Sequence, residues 1–100
     1  MLKHIVLIKM ADFDTEKEKN EAMKKLKKDL DALPAKISVI KSYEVGLNIS
    51  ETGAAYDVSI ISAFESTDDL KAYAIHQAHL EVLDYLGKVS SSKVVVDYKI

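Results

Sequence analysis

Two stretches at opposite ends of the chain, residues 2–10 and 94–100, carry apolar side chains at odd and even positions alike. In the first, Leu2, His4, Val6, Ile8 and Met10 alternate with Ile5 and Leu7. In the last, Val94, Val96, Tyr98 and Ile100 alternate with Val95. A strand in a sheet with one wet face reads apolar, polar, apolar; a strand apolar on both sides needs cover on both. These two stretches therefore predict a sheet whose second face is also hidden.

The segments between them set the element order. Thr15 with Glu18 three residues later is a capping box, which predicts a helix start. Met23, Leu26, Leu30 and Leu33 recur on one helical face. Lys24, Lys25, Lys27 and Lys28 fill the opposite, solvated face, and Pro34 is expected to stop the helix. Residues 38–47 predict a strand with Val39, Tyr43, Val45 and Leu47 on one side. Residues 56–64 predict another, with Tyr56, Val58, Ile60 and Phe64 aligned and Ser62 interrupting them. No helical period joins these two strands, so they predict an antiparallel hairpin. Ser66 with Asp69 is a second capping box. A short helix carrying Leu70, Tyr73 and Ala74 follows, then an elbow at residues 75–78, then a helical segment carrying Leu80, Leu83 and Leu86. Gly87 is the expected helix stop, residues 90–92 the linker, and residues 94–100 the final strand.

Strand, helix, strand, strand, helix, strand is the split βαβ order of an α+β, ferredoxin-like protomer. Its four-stranded antiparallel sheet carries the helices on one face. The whole chain, residues 1–100, reads as a single domain of this kind. About five aliphatic side chains are left for the other face, and burying each contributes roughly 1.5–3 kcal/mol. That sum is comparable with the whole stability of a small domain. Sheet-to-sheet packing of two copies hides this surface, so a two-fold homodimer is expected. The alternative is a monomer with an apolar ligand groove.

Composition excludes several function classes. The chain has no cysteine, which removes disulfides, thiolate nucleophiles and cysteine metal sites. A formal net charge of -2 leaves no basic excess for a phosphate backbone, so no nucleic-acid partner is expected. The apolar run at the N-terminus, Ile5 to Ile8, is too short for a signal-peptide core or a membrane span. A cytoplasmic protein with no membrane association is the expectation.

Several motifs together resemble the stress-responsive α/β-barrel domain (Dabb) family. They are the opening Met1-Leu2-Lys3-His4-Ile5-Val6-Leu7-Ile8-Lys9, Tyr56-Asp57, Phe64-Glu65-Ser66, Leu70-Lys71-Ala72-Tyr73, His76-Gln77-Ala78-His79 and Val95-Val96-Asp97-Tyr98. The resemblance spans essentially the whole chain. Gln77 stands where the family's usual form has proline. The resemblance implies a ferredoxin-like protomer in a dimeric α/β barrel. The family includes a plant polyketide cyclase, and its pocket residues carry over onto His4, Tyr73 and His79, with His76 matching the other motif histidine.

These residues also form a candidate site by their own chemistry. His4 is polar within an apolar strand face, and a buried imidazole needs a hydrogen-bond partner. Tyr73, His76 and His79 are spaced by three, so a continuous helix would place neighbours on one face. In a cyclase-like reading His79 removes a proton next to a carbonyl, while Tyr73 and His4 orient the substrate and stabilise enolate charge. His76 joins them as a ligand-binding residue. No cofactor is required. No metal is expected either, since no carboxylate stands at a ligand spacing. The competing reading is a non-catalytic, structural stress-associated homodimer with a filled barrel interior, in which the same side chains only satisfy one another. A cavity of roughly 300 Å³ or more near His4 separates the two.

Overall fold

The computed structural model describes residues 1–100. The chain forms β1 (Leu2–Met10), α1 (Glu16–Asp31), α2 (Leu33–Lys36), β2 (Ser42–Leu47), β3 (Val58–Phe64), α3 (Thr67–Ile75), α4 (Gln77–Val89) and β4 (Ser90–Lys99). The four strands make one sheet in the order β2-β3-β1-β4, and every neighbouring pair is antiparallel. This is the ferredoxin-like α+β plan expected from the element order. No helix is long and apolar enough to cross a membrane.

Local signals start the helices where the capping boxes place them. Thr15 accepts from the Glu18 N–H at 3.1 Å, and Ser66 accepts from the Asp69 N–H at 3.2 Å. Met23, Leu26 and Leu30 of α1 are buried against the sheet. Facing them from the sheet are Val6, Ile8, Val45, Val58, Ile60 and Phe64, so the core lies between the sheet and one helical layer.

Several boundaries differ from the sequence expectation. Pro34 does not end the helix: α1 stops at Asp31, and Pro34 sits in the first turn of the four-residue α2. Proline is tolerated there because its missing N–H belongs to a group with no helical partner. The second strand begins at Ser42 rather than residue 38, and the third at Val58 rather than residue 56. Gly87 does not stop α4, which runs on to Val89. No glycine adopts a positive φ, so no left-handed cap forms at Gly87. Instead Ser90 closes the helix, with its hydroxyl donating to the Leu86 carbonyl at 2.7 Å. Residues 90–92 are not a linker. They are the first residues of β4, with Ser90 opposite Met10 and Ser92 opposite Lys9.

Register decides which residues share the helix side of the sheet. His4 lies between Ser62 on β3 and Asp97 on β4, Val6 between Ile60 and Val95, and Ile8 between Val58 and Lys93. The opposite face carries Ile5 beside Ile61 and Val96, and Leu7 beside Val94. Leu7, Val94, Val96 and Tyr98 are all exposed in the protomer. The uncovered face is thus apolar along β1 and β4, as the non-alternating strands require.

Candidate active site

A cavity of about 360 Å³ opens between the β4 side of the sheet and helices α3 and α4. Its walls are mostly aliphatic: Val6, Leu30, Ile60, Leu70, Val82 and Leu86 among them. His4, Tyr73, His79, Lys93 and Asp97 are its polar lining. The volume exceeds the threshold set for a ligand site. A second depression of about 410 Å³, around Lys19 and Asp57, shares none of the histidines.

The chain breaks its own helix to build this corner. His76 has φ -64° and ψ 137°, which ends α3 and starts α4 in a new direction. Of the carbonyls at the end of α3, that of Tyr73 accepts the His76 N–H at 3.2 Å, while the break takes the usual helical donor from Ala74. His79, in the first turn of α4, reaches back so that its Nδ1 lies 3.0 Å from the Ala74 carbonyl oxygen. A carbonyl only accepts, so this nitrogen carries the proton and donates. Nε2 is left with a free lone pair. Burial lowers the pKa of the imidazole below its ordinary 6.5; the Ala74 hydrogen bond opposes this, while the nearby Lys93, His4 and His76 add to it, and the net direction is downward. His79 is therefore neutral at neutral pH, the form that accepts a proton.

Tyr73 projects from α3 beside it. Its ring centroid lies 4.3 Å from that of His79 and 6.2 Å from that of His4. The Tyr73 hydroxyl is 2.9 Å from the hydroxyl of Tyr43 on β2. Burial raises the pKa of both phenols, so both stay protonated; one donates to the other, and with Tyr43 as that donor the Tyr73 proton is free for a ligand. His4 Nδ1 is hydrogen-bonded to the Asp97 carboxylate across the β1–β4 ladder. The carboxylate accepts, which orients the imidazole and fixes its tautomer. Ser62, fully buried beside it, donates its hydroxyl to the His4 carbonyl at 3.1 Å.

The structure thus brings His4, Tyr73 and His79 to one cavity, and places His76 elsewhere. The His76 side chain caps α4, its Nδ1 accepting from the Ala78 N–H at 3.0 Å, and it does not line the cavity. The spacing of three failed for His76 because the helix is interrupted at that residue. Asp97, Tyr43 and Lys93 were not singled out from sequence. Asp97 did carry a signal, as the one carboxylate within an apolar strand. No three His, Asp or Glu side chains gather as a metal-ligand set.

Comparison with known proteins assigns this arrangement to a family. The sequence profile of the stress responsive A/B barrel domain matches residues 2–100. The chain belongs to the stress-responsive A/B barrel domain family. It is similar to a solved structure from Bacteroides fragilis, a dimeric protein of unknown function with a ferredoxin-like fold. It is 40% identical, with a TM-score of 0.91, over 99% of this chain and 95% of that one. An uncharacterized protein of Streptomyces coelicolor is 32% identical over 99% of both chains. The olivetolic acid cyclase of Cannabis sativa is 28% identical over 97% of this chain and 94% of its own. The stress-responsive barrel domain here therefore has a similar solved structure described as a dimeric ferredoxin-like protein.

Proposed function

We propose that this chain is a homodimer whose protomers each bind a small apolar or aromatic carbonyl compound in the His4–Tyr73–His79 cavity and carry out cyclase-like acid–base chemistry on it. The observation that carries this reading is the neutral His79, its Nδ1 tied to Ala74 and its ring against Tyr73 at the cavity wall. His79 Nε2 takes a proton from the carbon next to the carbonyl. The Tyr73 hydroxyl donates to the carbonyl oxygen as it gains enolate charge. His4, held by Asp97, positions the same oxygen from the sheet side. A space of about 360 Å³ supports a ligand site over a filled barrel interior. The apolar outer face of β1 and β4, with the dimeric relative from Bacteroides fragilis, supports the two-fold assembly.

Acetophenone in deuterated water tests the chemistry. Its methyl protons exchange with solvent only through the enolate. The protein is expected to accelerate that exchange over buffer, with His79→Ala removing the acceleration and Tyr73→Phe weakening it. Exchange at the buffer rate with acetophenone bound, or undiminished exchange with His79→Ala, overturns the proposal.

A further inference from the structure

The cavity has a charge asymmetry along β4. Residues 93, 95 and 97 of β4 share the helix side of the sheet, opposite Ile8, Val6 and His4, and all three line the cavity. Asp97, the cavity's single carboxylate, is already engaged by His4. Lys93 lies two pleats along the same edge strand, roughly 13 Å away in backbone rise. No carboxylate pairs with it, and it is the one lysine that lines the cavity. An ammonium without a partner thus stands beside aliphatic walls built from Val6, Leu30, Ile60, Val82 and Leu86. A compact cation at the rim of an apolar pocket matches a molecule with an anionic head and an aliphatic body.

We infer that the cavity takes an anion-headed amphiphile, a carboxylate with an aliphatic tail, and that Lys93 supplies the counter-charge for its head. This deepens the reading of the cavity as a ligand site and rests on it. The tail lies along the aliphatic wall between α1 and α4. The head stays at the β4 edge, where water reaches both it and Lys93. Tyr73 and His79 then border the part of the ligand between head and tail. The preference for an anion comes from charge rather than shape, so it weakens as salt rises.

Three ligands of equal length separate the contributions: octanoate, 1-octanol and octylammonium, each titrated calorimetrically into the intact protein at low salt. Octanoate is expected to bind about ten-fold tighter than 1-octanol, the size of one charge-assisted contact, with octylammonium weakest. Lys93→Met is expected to remove the preference while leaving 1-octanol binding unchanged, and Lys93→Arg to keep it. Lys93 is exposed, so neither substitution disturbs the core. Equal binding of octanoate and 1-octanol by the native protein overturns the inference and leaves the cavity an apolar ligand site. So does a preference that survives in Lys93→Met. Failure of all three to bind overturns the ligand-site reading and this inference together. Acetophenone exchange, compared between the native protein and His79→Ala, reports on the proton-transfer chemistry separately.

Discussion

The Nδ1 of His79 donates to the carbonyl oxygen of Ala74 at 3.0 Å, across the helix break at His76. A helix end thereby satisfies one orphan carbonyl with the same imidazole that lines the cavity. The contact joins fold and chemistry in a single side chain. It also makes the tautomer of His79 a property of the backbone rather than of the ligand.

Because burial lowers the pKa of His79 below its ordinary 6.5, its neutral form gives a pH-dependent stability. Above about 6.5 both folded and unfolded states hold it neutral and the contribution is complete. As pH falls below that value the unfolded chain takes up the proton first, and stability is lost down to the lowered folded pKa. Urea unfolding between pH 8 and 5 is expected to show a decline that His79→Gln flattens. An unchanged decline in that variant contradicts the assignment.

The Tyr43–Tyr73 hydroxyl pair predicts energetic coupling. Tyr43→Phe removes one partner of a largely buried hydrogen bond at 2.9 Å and is expected to cost about 1–2 kcal/mol. Adding Tyr73→Phe removes the orphaned hydroxyl, so the double variant is expected to be more stable than the sum of the single losses implies. Denaturant midpoints of the four proteins measure this cycle. Additive losses would mean that the two hydroxyls do not interact.

Asp57 is a buried anchor at the far end of β1. Its carboxylate accepts the Met10 N–H at 2.7 Å and pairs with Lys19 at 3.1 Å. Asp57→Ala strands the buried Met10 N–H, at an expected cost of about 2–3 kcal/mol, and leaves the His4 cavity in place. Thermal unfolding checks the first expectation, and octanoate titration the second.

The open sheet face predicts the outcome of charging it. Val96 is half exposed on the edge strand and pairs with Ile5 on that face. Val96→Glu on each protomer places carboxylates inside a sheet-to-sheet interface, where their burial is costly. Sedimentation is expected to show a dimer for the native chain and a monomer for the variant, with unchanged circular dichroism. A native monomer at micromolar concentration contradicts the proposed assembly.

The starts of α1 and α3 were legible because each is made by neighbours in the chain: Thr15 with Glu18, and Ser66 with Asp69. The core face of α1 was legible for the same reason, since Met23, Leu26 and Leu30 follow one helical period. Gly87 and residues 90–92 misled because local preference favours a stop and a linker there. Pairing of Ser90 with Met10 and Ser92 with Lys9 overrides it, and a ladder with the far end of β1 depends on residues some eighty positions away. His76 misled because a period of three counts only along an unbroken helix.

Element order, the N-caps of α1 and α3 and the two-sided apolar strands were therefore determined by the sequence alone, since each is a pattern within a few residues. The site was only half so determined. That His4, Tyr73 and His79 meet, that Asp97 orients His4, that Tyr43 holds Tyr73 and that Lys93 is left unpaired at the rim were decided by tertiary structure. Those relationships depend on strand register and on the angle at which α4 leaves His76, and both are set by packing between distant segments rather than by any local preference.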